Sequence, residues 1–462
     1  MFVLTRRVSA LVRRSQVYHT IFYANASSTF TFPSLDLCHP RNNVPPSIRA
    51  IVRGRRLLRE PGHPLASLKS AIFAHFGATE VTHLGEGEGL KNRTGFSAFE
   101  SALTPVVTSR ANFDELLTPA AHASRRPSDT FYVDDAHVLR CHMTAHQTEL
   151  LRAGYRTFLM AGDVYRRDTV DRTHAPVFHQ LDGVRVWSRA ELPPAVLAAL
   201  AAGDAAPAKV FALADLRSTL ERLAGHLFGA SAATRWVPAH FPFTEPSLEL
   251  EVDFGGKWLE VLGAGVIRGE ILSAACTAAG EKIDSDAAVG WAFGVGLERL
   301  AMVLHAVPDI RLFWSQDPRF SSQFAKAKPL PAPPVKYKHF SSQPACYKDV
   351  AFWIPAGMSV TGDGEGVDEA GCVEESGAGG AGEGGAPTFH ENDFHAAVRE
   401  AAGDLAEAVE RIDKFVHPKT KRTSLCFRVL YRSADRSLTN EEVDGIQTKV
   451  VATVRGMGFA IR

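Results

Sequence analysis

The clearest alternation of hydrophobic and polar positions lies in the middle of the chain. Apolar and acidic residues alternate across 248–254, and Gly255 with Gly256 then turns the chain into the apolar run KWLEVLGAGV. An alternation of period two predicts a strand with one buried face, and two glycines between such runs predict a hairpin. The same period places Glu260 on one face with Leu262, where a carboxylate is either paired or functional, because burying it alone is costly.

Two other segments have the signals of helix starts. In the stretch 140–154, Thr144 and Gln147 have the spacing of a capping box, so Thr144 is either a helix cap or a functional residue. In GWAFGVGLERLAM, Gly294 and Gly296 precede Arg299 where a predicted strand becomes a predicted helix. The GxGxxR spacing is a weak dinucleotide fingerprint, because arginine replaces the third glycine. The segment indicates instead that Arg299 is a cation held at the start of a helix, a position suited to binding a nucleotide.

The last third of the chain has the pattern of a separate module. A Pro-rich stretch at 325–336 predicts a semi-rigid linker between a large domain at 36–324 and a module at 337–462. Within the module, 359–387 contains no Lys or Arg and predicts a disordered Gly-rich acidic insertion. The remaining pattern is strand, helix, strand, strand, helix, strand, with the first helix expected over 391–412. This order is typical of a ferredoxin-like layer.

Composition narrows the function only slightly. The 462 residues are 45% hydrophobic and 22% charged, which is ordinary for a globular protein of two or three domains. Because 51 basic residues balance 51 acidic ones, any nucleic-acid contact must come from a local patch. The six cysteines are scattered without a CxxC pair, which argues against a disulfide framework or a structural zinc site.

One such local patch surrounds the third strand of the module, where Phe427 and Tyr431 lie beside five cations. The patch is either a solvated strand edge or an RNA platform that neutralises phosphates and stacks bases. The five cations are Lys419, Lys421, Arg422, Arg428 and Arg432.

The first 35 residues differ from the rest of the chain. They contain several arginines, no acid, and apolar residues that share one helical face. This pattern predicts an organellar transit peptide, and a disordered basic tail is the alternative. We expect import into an organelle, the mitochondrial matrix first, with a plastid or both organelles open. No apolar run is long enough to span a membrane.

The stretch GDVYRRDTVDRTHAPVFHQLDG, at 162–183, carries three arginines, two histidines and four aspartates. A solvated loop explains the polar residues, but not the ring of Phe178 followed by an alternation through Gln180 and Asp182. Charge, hydrogen-bonding groups and a flat ring together indicate a binding site. Phe241 and Phe243 also point the same way across a proline, and ordinary core packing is the alternative for that pair.

The stretch 162–183 resembles motif 2 of class II aminoacyl-tRNA synthetases, and GWAFGVGLERLAM resembles motif 3. With HMTAHQ, FHQLDG, FPFTEPS and WLEVLG, the set is similar to the organellar single-chain phenylalanyl-tRNA synthetases, from about His63 to the C-terminus without the insertion. The resemblance implies an α+β fold, with an antiparallel-sheet catalytic core and a C-terminal ferredoxin-like anticodon-binding domain. It implies ATP-dependent attachment of phenylalanine to tRNA through phenylalanyl adenylate, for organellar translation.

The resemblance also implies a nucleotide site. Arg166 would hold the α-phosphate, Phe178 and Arg299 would enclose adenine, and Glu260 would lie near Mg²⁺. The catalytic residues would be Arg166, Arg299 and Glu260. The residues implied in ATP binding are Arg166, Asp168, His174, Phe178, Glu260 and Arg299.

The phenylalanine site follows from the same resemblance. Asp182 stands where the family usually has glutamate, so its contact with the substrate ammonium is expected to run through water. Small Ala292 would form the floor of the side-chain pocket. The residues implied are His142, Thr144, Ala145, His146, Gln147, Arg166, Gln180, Asp182, Phe241, Phe243, Ala292 and Phe293.

The implied partners are tRNA(Phe), phenylalanine and ATP with Mg²⁺, no membrane, and a monomeric state. Two alternatives stay open. A non-catalytic tRNA-binding protein built on an inactive synthetase core would be expected to lose Arg166, Arg299 or Glu260. Another class II-like ligase would lack the Phe241 and Phe243 pair and the C-terminal module.

Overall fold

The computed structural model describes most of the chain. The described residues are 35, 38–82, 95–100, 102–188, 191–278, 289–327, 332–339, 343–361, 388–433 and 436–462. The predicted leader, apart from residue 35, and the part of the predicted insertion at 362–387 lie outside them. Among the described helices, none is long and apolar enough to cross a membrane.

The N-terminal part of the fold is built on one large sheet. Among the described residues, its eight strands are β1 (Thr79–Val81), β2 (Ser97–Phe99), β5 (Thr157–Tyr165), β6 (Val177–Trp187), β7 (Thr234–Ala239), β8 (Thr244–Asp253), β9 (Trp258–Ile267) and β10 (Val289–Gly296). They are ordered β1-β2-β5-β6-β10-β9-β8-β7, and all neighbours beyond β5 are antiparallel. A separate antiparallel pair is formed by β3 (Val106–Thr108) and β4 (His137–Leu139). The hairpin predicted around the two glycines is confirmed as β8 and β9.

Nine helices among the described residues belong to this part. They are α1 (Pro46–Arg53), α2 (Pro64–His75), α3 (Ser109–Asn112), α4 (Gln147–Arg152), α5 (Pro194–Ala201), α6 (Ala206–Phe228), α7 (Gly269–Ala278), α8 (Leu297–His305) and α9 (Pro318–Phe324). Helices α6 and α8 pack against one side of the sheet, and α2 packs against both helices. The main hydrophobic core lies between these helices and the sheet.

The C-terminal module has the predicted order of elements. Its elements are β11 (Cys346–Trp353), α10 (Glu391–Ala402), β14 (Ala406–Val416), β15 (Thr423–Tyr431), α11 (Asn440–Gly456) and β16 (Ala460–Ile461). The strands are ordered β14-β15-β11-β16, which is the ferredoxin-like arrangement. The short strands β12 (Ser359–Thr361) and β13 (Thr388–His390) pair with each other, so the prediction of disorder is wrong for residues 359–361.

The helix predicted over 391–412 is wrong in its second half. Helix α10 ends at Ala402, and Ala406 begins strand β14, which pairs with β15 over most of its length. The Ala- and Glu-rich sequence has a high intrinsic helix propensity, but propensity is a weak prior that strand pairing overrides here.

Side-chain alternation gives the large sheet two different faces. We call the face that carries Leu181, Trp291 and Phe293 the back face; it is covered by the helices of the main core. The opposite front face carries Gln180, Asp182 and Ala292. Because successive side chains along a strand point to opposite sides, these two sets cannot share one pocket.

A β-bulge corrects the expected position of Glu260. The ladder between β8 and β9 pairs Leu250 with Leu262 but Glu251 with Glu260, so one extra residue lies on β9 between them. Such a bulge reverses the alternation. Glu260 therefore lies on the front face, opposite to Leu262, and the prediction that the two share a face is wrong.

Close packing on the back face gives a stability prediction. A β-carbon on Gly183 would lie 2.2 Å from Cε1 of Phe293. We expect Gly183→Ala to lower the free energy of unfolding by about 1–3 kcal/mol, measured by chemical denaturation. The matched control is Gly445→Ala in α11, where no atom lies within 4 Å of the new carbon. Equal stability of the two variants would contradict the proposed packing.

Candidate active site

Arg166 and Phe178 face each other at the end of the β5–β6 hairpin where the connecting loop begins and ends. The guanidinium carbon of Arg166 lies 5.2 Å from the centre of the Phe178 ring, within cation–π distance. Nε of Arg166 also donates to the backbone oxygen of Cys141 at 2.9 Å. Two independent contacts therefore fix a planar cation over a flat ring.

Thr144 and Asp182 form a buried hydrogen bond on the front face. Oγ1 of Thr144 donates to Oδ2 of Asp182 at 2.7 Å. Burial raises the pKa of Asp182 to about 7, although the hydrogen bond from Thr144 and the charge of Arg166 act against that rise. Thr144 is not a helix cap, because α4 begins later, at Gln147. Of the two interpretations of Thr144, the functional one is favoured.

Other polar groups lie beside this pair. Oε1 of Gln180 accepts from the backbone N–H of Met143 at 3.3 Å. Nδ1 of His142 and the side-chain amide of Gln147 are buried and have no hydrogen-bond partner among the described residues. Burial and Arg166 lower the pKa of His142 to about 3, so the ring is neutral. Unpaired buried polar atoms of this kind are satisfied by water or by a ligand.

Phe241 and Phe243 stand side by side over a floor of small residues. Their ring centres are 5.9 Å apart and their planes differ by 10°. The ring of Phe241 lies so close to Gly263 that a β-carbon there would be 2.7 Å from its Cζ. Ala292 and Gly294 continue the floor on the neighbouring strand. The space suits a flat apolar group, with Asp182 at its edge, where it faces Gly294.

Three residues expected in this pocket lie elsewhere. Phe293 is on the back face and stacks on Phe76 at a centre distance of 5.8 Å, so the structure does not place it beside Ala292. His146 is buried, with Nε2 3.0 Å from Nη1 of Arg140. Ala145 packs in a small hydrophobic cluster on the far side of the 3-10 turn. His146 and Ala145 lie outside the pocket because the turn at 143–146 directs only some of its side chains toward Asp182.

Glu260 and Arg299 meet at the edge of the front face. Nη1 of Arg299 is 3.4 Å from Oε2 of Glu260, and both side chains are partly exposed. No cluster of three or more metal-ligating side chains occurs in the part of the chain that the structure describes. Glu260 contributes one partly exposed carboxylate, paired with a cation that can bind phosphate.

A buried pair that the sequence did not predict joins the stretch 162–183 to the stretch GWAFGVGLERLAM. Glu298, in the first turn of α8, accepts from the backbone N–H of His179 at 2.8 Å and lies 2.6 Å from Nδ1 of the same residue. The pairing of β6 with β10 ends at Gln180 and Gly296, so no strand residue faces His179. The Glu298 carboxylate accepts the hydrogen bond that a backbone carbonyl would otherwise have accepted there. Burial alone would lower the pKa of His179, but Glu298 outweighs it and raises that pKa. The acid at the helix start was visible in the sequence, but its partner was not.

The loop between β5 and β6 is held by the C-terminal module. Val170 is buried within the hydrophobic core of that module, and its backbone oxygen accepts from Val409 at 2.9 Å. Arg399 donates to the backbone oxygens of Asp168 at 3.1 Å and Thr169 at 2.8 Å. The expected ATP-binding residue Asp168 therefore lies at an interface between the two parts of the chain.

Glu407 is the charged centre of this interface, and its side chain is only 2% exposed. Its carboxylate accepts from Nε of Arg172 in the loop at 2.8 Å and forms ion pairs with Arg311 and Arg432 at 3.6 and 2.9 Å. The loop residue His174 lies beyond it, with Nδ1 2.7 Å from Asp171. The sequence predicted a separate N-terminal domain and C-terminal module, because no local pattern indicates a contact between them.

The structure separates the five cations predicted to form an RNA platform. Lys419, Lys421 and Arg422 lie in the turn between β14 and β15. Arg428 forms two hydrogen bonds of 2.8 Å with Asp349, and Arg432 lies at the far end of the strand, beside Glu407.

The two aromatic residues expected beside these cations are not available for stacking. Phe427 and Tyr431 are fully buried in the core of the module. They occupy the side of β15 that faces the helices, so a base cannot reach their rings. Of the two interpretations of the patch, the one in which bases stack on these two rings is therefore wrong.

Comparison with known proteins gives two family matches. The model of the class II core domain (F) of tRNA synthetases matches residues 90–195 and 207–324, and the model of the ferredoxin-fold anticodon binding domain matches 386–462. The second match begins after β11, which nevertheless belongs to the same sheet. The predicted fold class, an antiparallel-sheet synthetase core with a ferredoxin-like domain, is confirmed.

Similar complete proteins are also known. The chain is 44% identical to "Phenylalanine--tRNA ligase, chloroplastic/mitochondrial" of Arabidopsis thaliana, over 89% of this chain and 80% of the relative. It is 40% identical to the mitochondrial phenylalanine--tRNA ligase of Mus musculus, over 86% and 80%, and 32% identical to that of Saccharomyces cerevisiae, over 86% and 87%. These identities and coverages, together with the two family matches, show that the chain belongs to the family of class II phenylalanine--tRNA ligases of organelles.

Proposed function

We propose that this chain attaches phenylalanine to tRNA(Phe) in an ATP-dependent reaction that passes through phenylalanyl adenylate, for translation in an organelle. The observation that carries the proposal is the front face of the sheet. It brings a cation over a ring, a buried carboxylate and a pair of parallel aromatic rings to one side. These groups match, respectively, a nucleotide, an ammonium group and an apolar side chain.

The phenylalanine ring would lie against Phe241 and Phe243 above Ala292. Its ammonium group would reach the carboxylate of Asp182 through water. Thr144 orients that carboxylate, and Gln180 lies beside it. The small floor residues provide the depth that a phenyl ring needs. Of the twelve residues expected to bind phenylalanine, we retain all except Ala145, His146 and Phe293.

Adenine would lie between Phe178 and Arg299, with Arg166 on the α-phosphate and His174 near the end of the triphosphate. The substrate carboxylate attacks the α-phosphorus in line, so the protein contributes positioning and cationic stabilisation rather than a nucleophile. The contacts of Arg166 with Phe178 and Cys141 would hold its guanidinium in place for this role. The first transfer forms the adenylate and releases pyrophosphate, and a ribose hydroxyl of tRNA then takes the phenylalanyl group and releases AMP.

Glu260 fits a role beside Mg²⁺. This ion is usually bound through one or two carboxylates together with substrate phosphates, and Glu260 is a partly exposed acid on the front face. When bound, the ion would offset the negative charge of the phosphates. Arg299, adjacent to Glu260, would contact adenine and phosphate directly, not through the ion.

The C-terminal module at 337–462 would hold tRNA, and the turn with Lys419, Lys421 and Arg422 would contact its phosphates. The segment 1–35 would act as a mitochondrial transit peptide, with the matrix as destination and a plastid as a second one. The names of the relatives support an organelle. One chain that carries both catalytic and tRNA-binding parts is expected to act as a monomer.

Amino-acid-dependent exchange between ATP and pyrophosphate tests the proposed function. We expect the purified chain to exchange with phenylalanine, strongly above the other amino acids, and to charge tRNA(Phe). Binding of tRNA without exchange would favour the alternative of an inactive synthetase core. Exchange driven by a different amino acid would favour another class II ligase.

The nucleotide site predicts a loss on a conservative change. Arg299→Lys keeps the charge but loses the planar guanidinium that stacks on a base, and the two side chains are not interchangeable at such a site. We expect phenylalanine-dependent exchange to fall by at least about tenfold with thermal stability unchanged. The control is Arg319→Lys on α9, which should leave exchange near that of the wild type. Unchanged exchange in the Arg299 variant would remove this residue from the site.

The raised pKa of Asp182 predicts a pH dependence of phenylalanine binding. As the pH falls through about 7, the carboxyl of the free enzyme takes up a proton and no longer attracts the ammonium group. The KM for phenylalanine should therefore rise at low pH, approaching about tenfold per pH unit. Thr144→Val removes the hydrogen bond that favours the charged form, so the midpoint should move to higher pH. A KM that is flat with pH in both proteins would contradict this role.

The interface at Glu407 predicts that the C-terminal module affects ATP binding. Glu407→Gln removes the charge that holds Arg172, so the loop should loosen and the KM for ATP should rise roughly tenfold. The KM for phenylalanine should not change, because its residues lie outside the loop except Arg166, which Cys141 and Phe178 hold independently of Glu407. The control is Arg428→Gln, which removes an exposed ion pair of little energetic value. Equal ATP constants in both variants would show that the interface does not support the loop.

A further inference from the structure

The two rings of the aromatic pair are held by different kinds of contact. The backbone oxygen of Phe243 accepts from the backbone N–H of Arg268 at 3.1 Å, just after β9 ends. The backbone N–H of Phe241 donates instead to a side chain, Oγ of Ser247, at 3.1 Å. Ser247 lies within β8, beyond the turn that carries both rings. The N–H of Phe241 is therefore tied to the sheet through one hydroxyl group.

The hydroxyl of Ser247 uses its full hydrogen-bonding capacity. It accepts from Phe241 and donates to the backbone oxygen of Thr244 at 3.0 Å. Oγ1 of Thr244, 2.7 Å away, then acts as the second donor to it. A serine hydroxyl offers one donor and two acceptor positions, so none is left over. Both residues are buried, so little water can reach these bonds.

A β-bulge in β8 brings the two hydroxyls together. Three steps along β8, from Thr244 to Ser247, match only two steps along β9, from Ile267 to Gly265. Residues three apart on a strand normally point to opposite faces, and the extra residue places both on the front face. A β-carbon on Gly265 would lie 2.7 Å from Oγ1 of Thr244. The turn that carries the aromatic pair therefore packs directly on β9.

We propose that Ser247 is a positioning residue for the phenylalanine pocket. Its hydroxyl fixes the backbone of Phe241, and so sets how far the ring of Phe241 stands from the floor at Gly263. This inference rests on the proposed function, because it takes phenylalanine as the substrate. Without the hydroxyl, the N–H of Phe241 has no acceptor, which is costly, so the turn shifts to find another one. Ser247 acts through Phe241 and not by contact with the substrate.

A purely structural role is the alternative for this serine. Serine and threonine hydroxyls commonly bind backbone groups in turns, and such bonds need have no part in ligand binding. The two roles differ in what the loss of the hydroxyl changes. A structural serine alters the free energy of unfolding alone, whereas a positioning serine also alters the binding of the aromatic side chain of the substrate.

Steady-state exchange by Ser247→Ala tests the inference. We expect the KM for phenylalanine to rise roughly 3- to 10-fold, while kcat at saturating phenylalanine and the KM for ATP stay within about twofold of the wild type. The matched control is Ser424→Ala in β15. It removes a buried strand hydroxyl that has no hydrogen-bond partner among the described residues, so all three constants should stay unchanged.

A second measurement separates ring geometry from a general loosening of the site. The side chain of 3-cyclohexylalanine has as many carbons as that of phenylalanine but no π-face, so parallel rings in the pocket favour phenylalanine. Calorimetry gives the Kd of each amino acid without any need for exchange. The preference for phenylalanine should fall in Ser247→Ala and stay constant in Ser424→Ala.

Thr244→Val serves as a second variant, because it removes one partner of the Ser247 hydroxyl at similar volume. If Ser247→Ala fails to fold, this variant decides: the KM for phenylalanine should rise, and an unchanged KM would overturn the inference. In a folded Ser247→Ala, an unchanged KM for phenylalanine, or an equal rise in the KM for ATP, would overturn it as well. A wild-type chain without any phenylalanine-dependent exchange would instead overturn the proposed function, and the calorimetric preference would then still test Ser247.

Discussion

Alternation of side chains along β6 and β10 is the constraint on which the site depends. Gln180 and Asp182 point to the front face, while His179 and Leu181 point into the protein, and the register with β10 places Ala292 and Gly294 beside Asp182. One strand thus supplies the binding groups and the residues that hold it in place. A slip of one residue would exchange the two sets, so the hydrophobic core of the back face fixes the chemistry of the front.

A second constraint on the site is the contact between Glu298 and His179. It satisfies a backbone N–H that the end of β10 leaves without a strand partner, and it ties the start of α8 to β6. Arg299 follows Glu298 directly, and Phe178 precedes His179. The buried pair therefore sets the spacing of the two side chains proposed to enclose adenine. In a similar way, Glu407 connects the loop of the nucleotide site with the module proposed to bind tRNA.

Much of this arrangement could be predicted from the sequence. Period-two patterns and glycine pairs locate hairpins, because they report on local burial and turn geometry, and the order of elements in the C-terminal module follows in the same way. Three features could not be predicted. The bulge before Leu262 leaves no periodic trace, strand β14 has the composition of a helix, and the packing of Val170 into the C-terminal core depends on contacts far apart in the chain. The position of Phe293 on the back face could have been predicted, because neighbouring strand residues point to opposite faces and Ala292 was expected on the front face.

The central claim is that the front face alone selects phenylalanine. Its most direct test is the KM for phenylalanine, measured by exchange in Ala292→Val and Ala264→Val. These changes add the same two methyl groups to front and back faces of adjacent strands. We predict that the first variant raises the KM for phenylalanine with little effect on the KM for ATP, and that the second lowers stability without changing either constant. Equal effects of the two variants on phenylalanine binding would contradict the account.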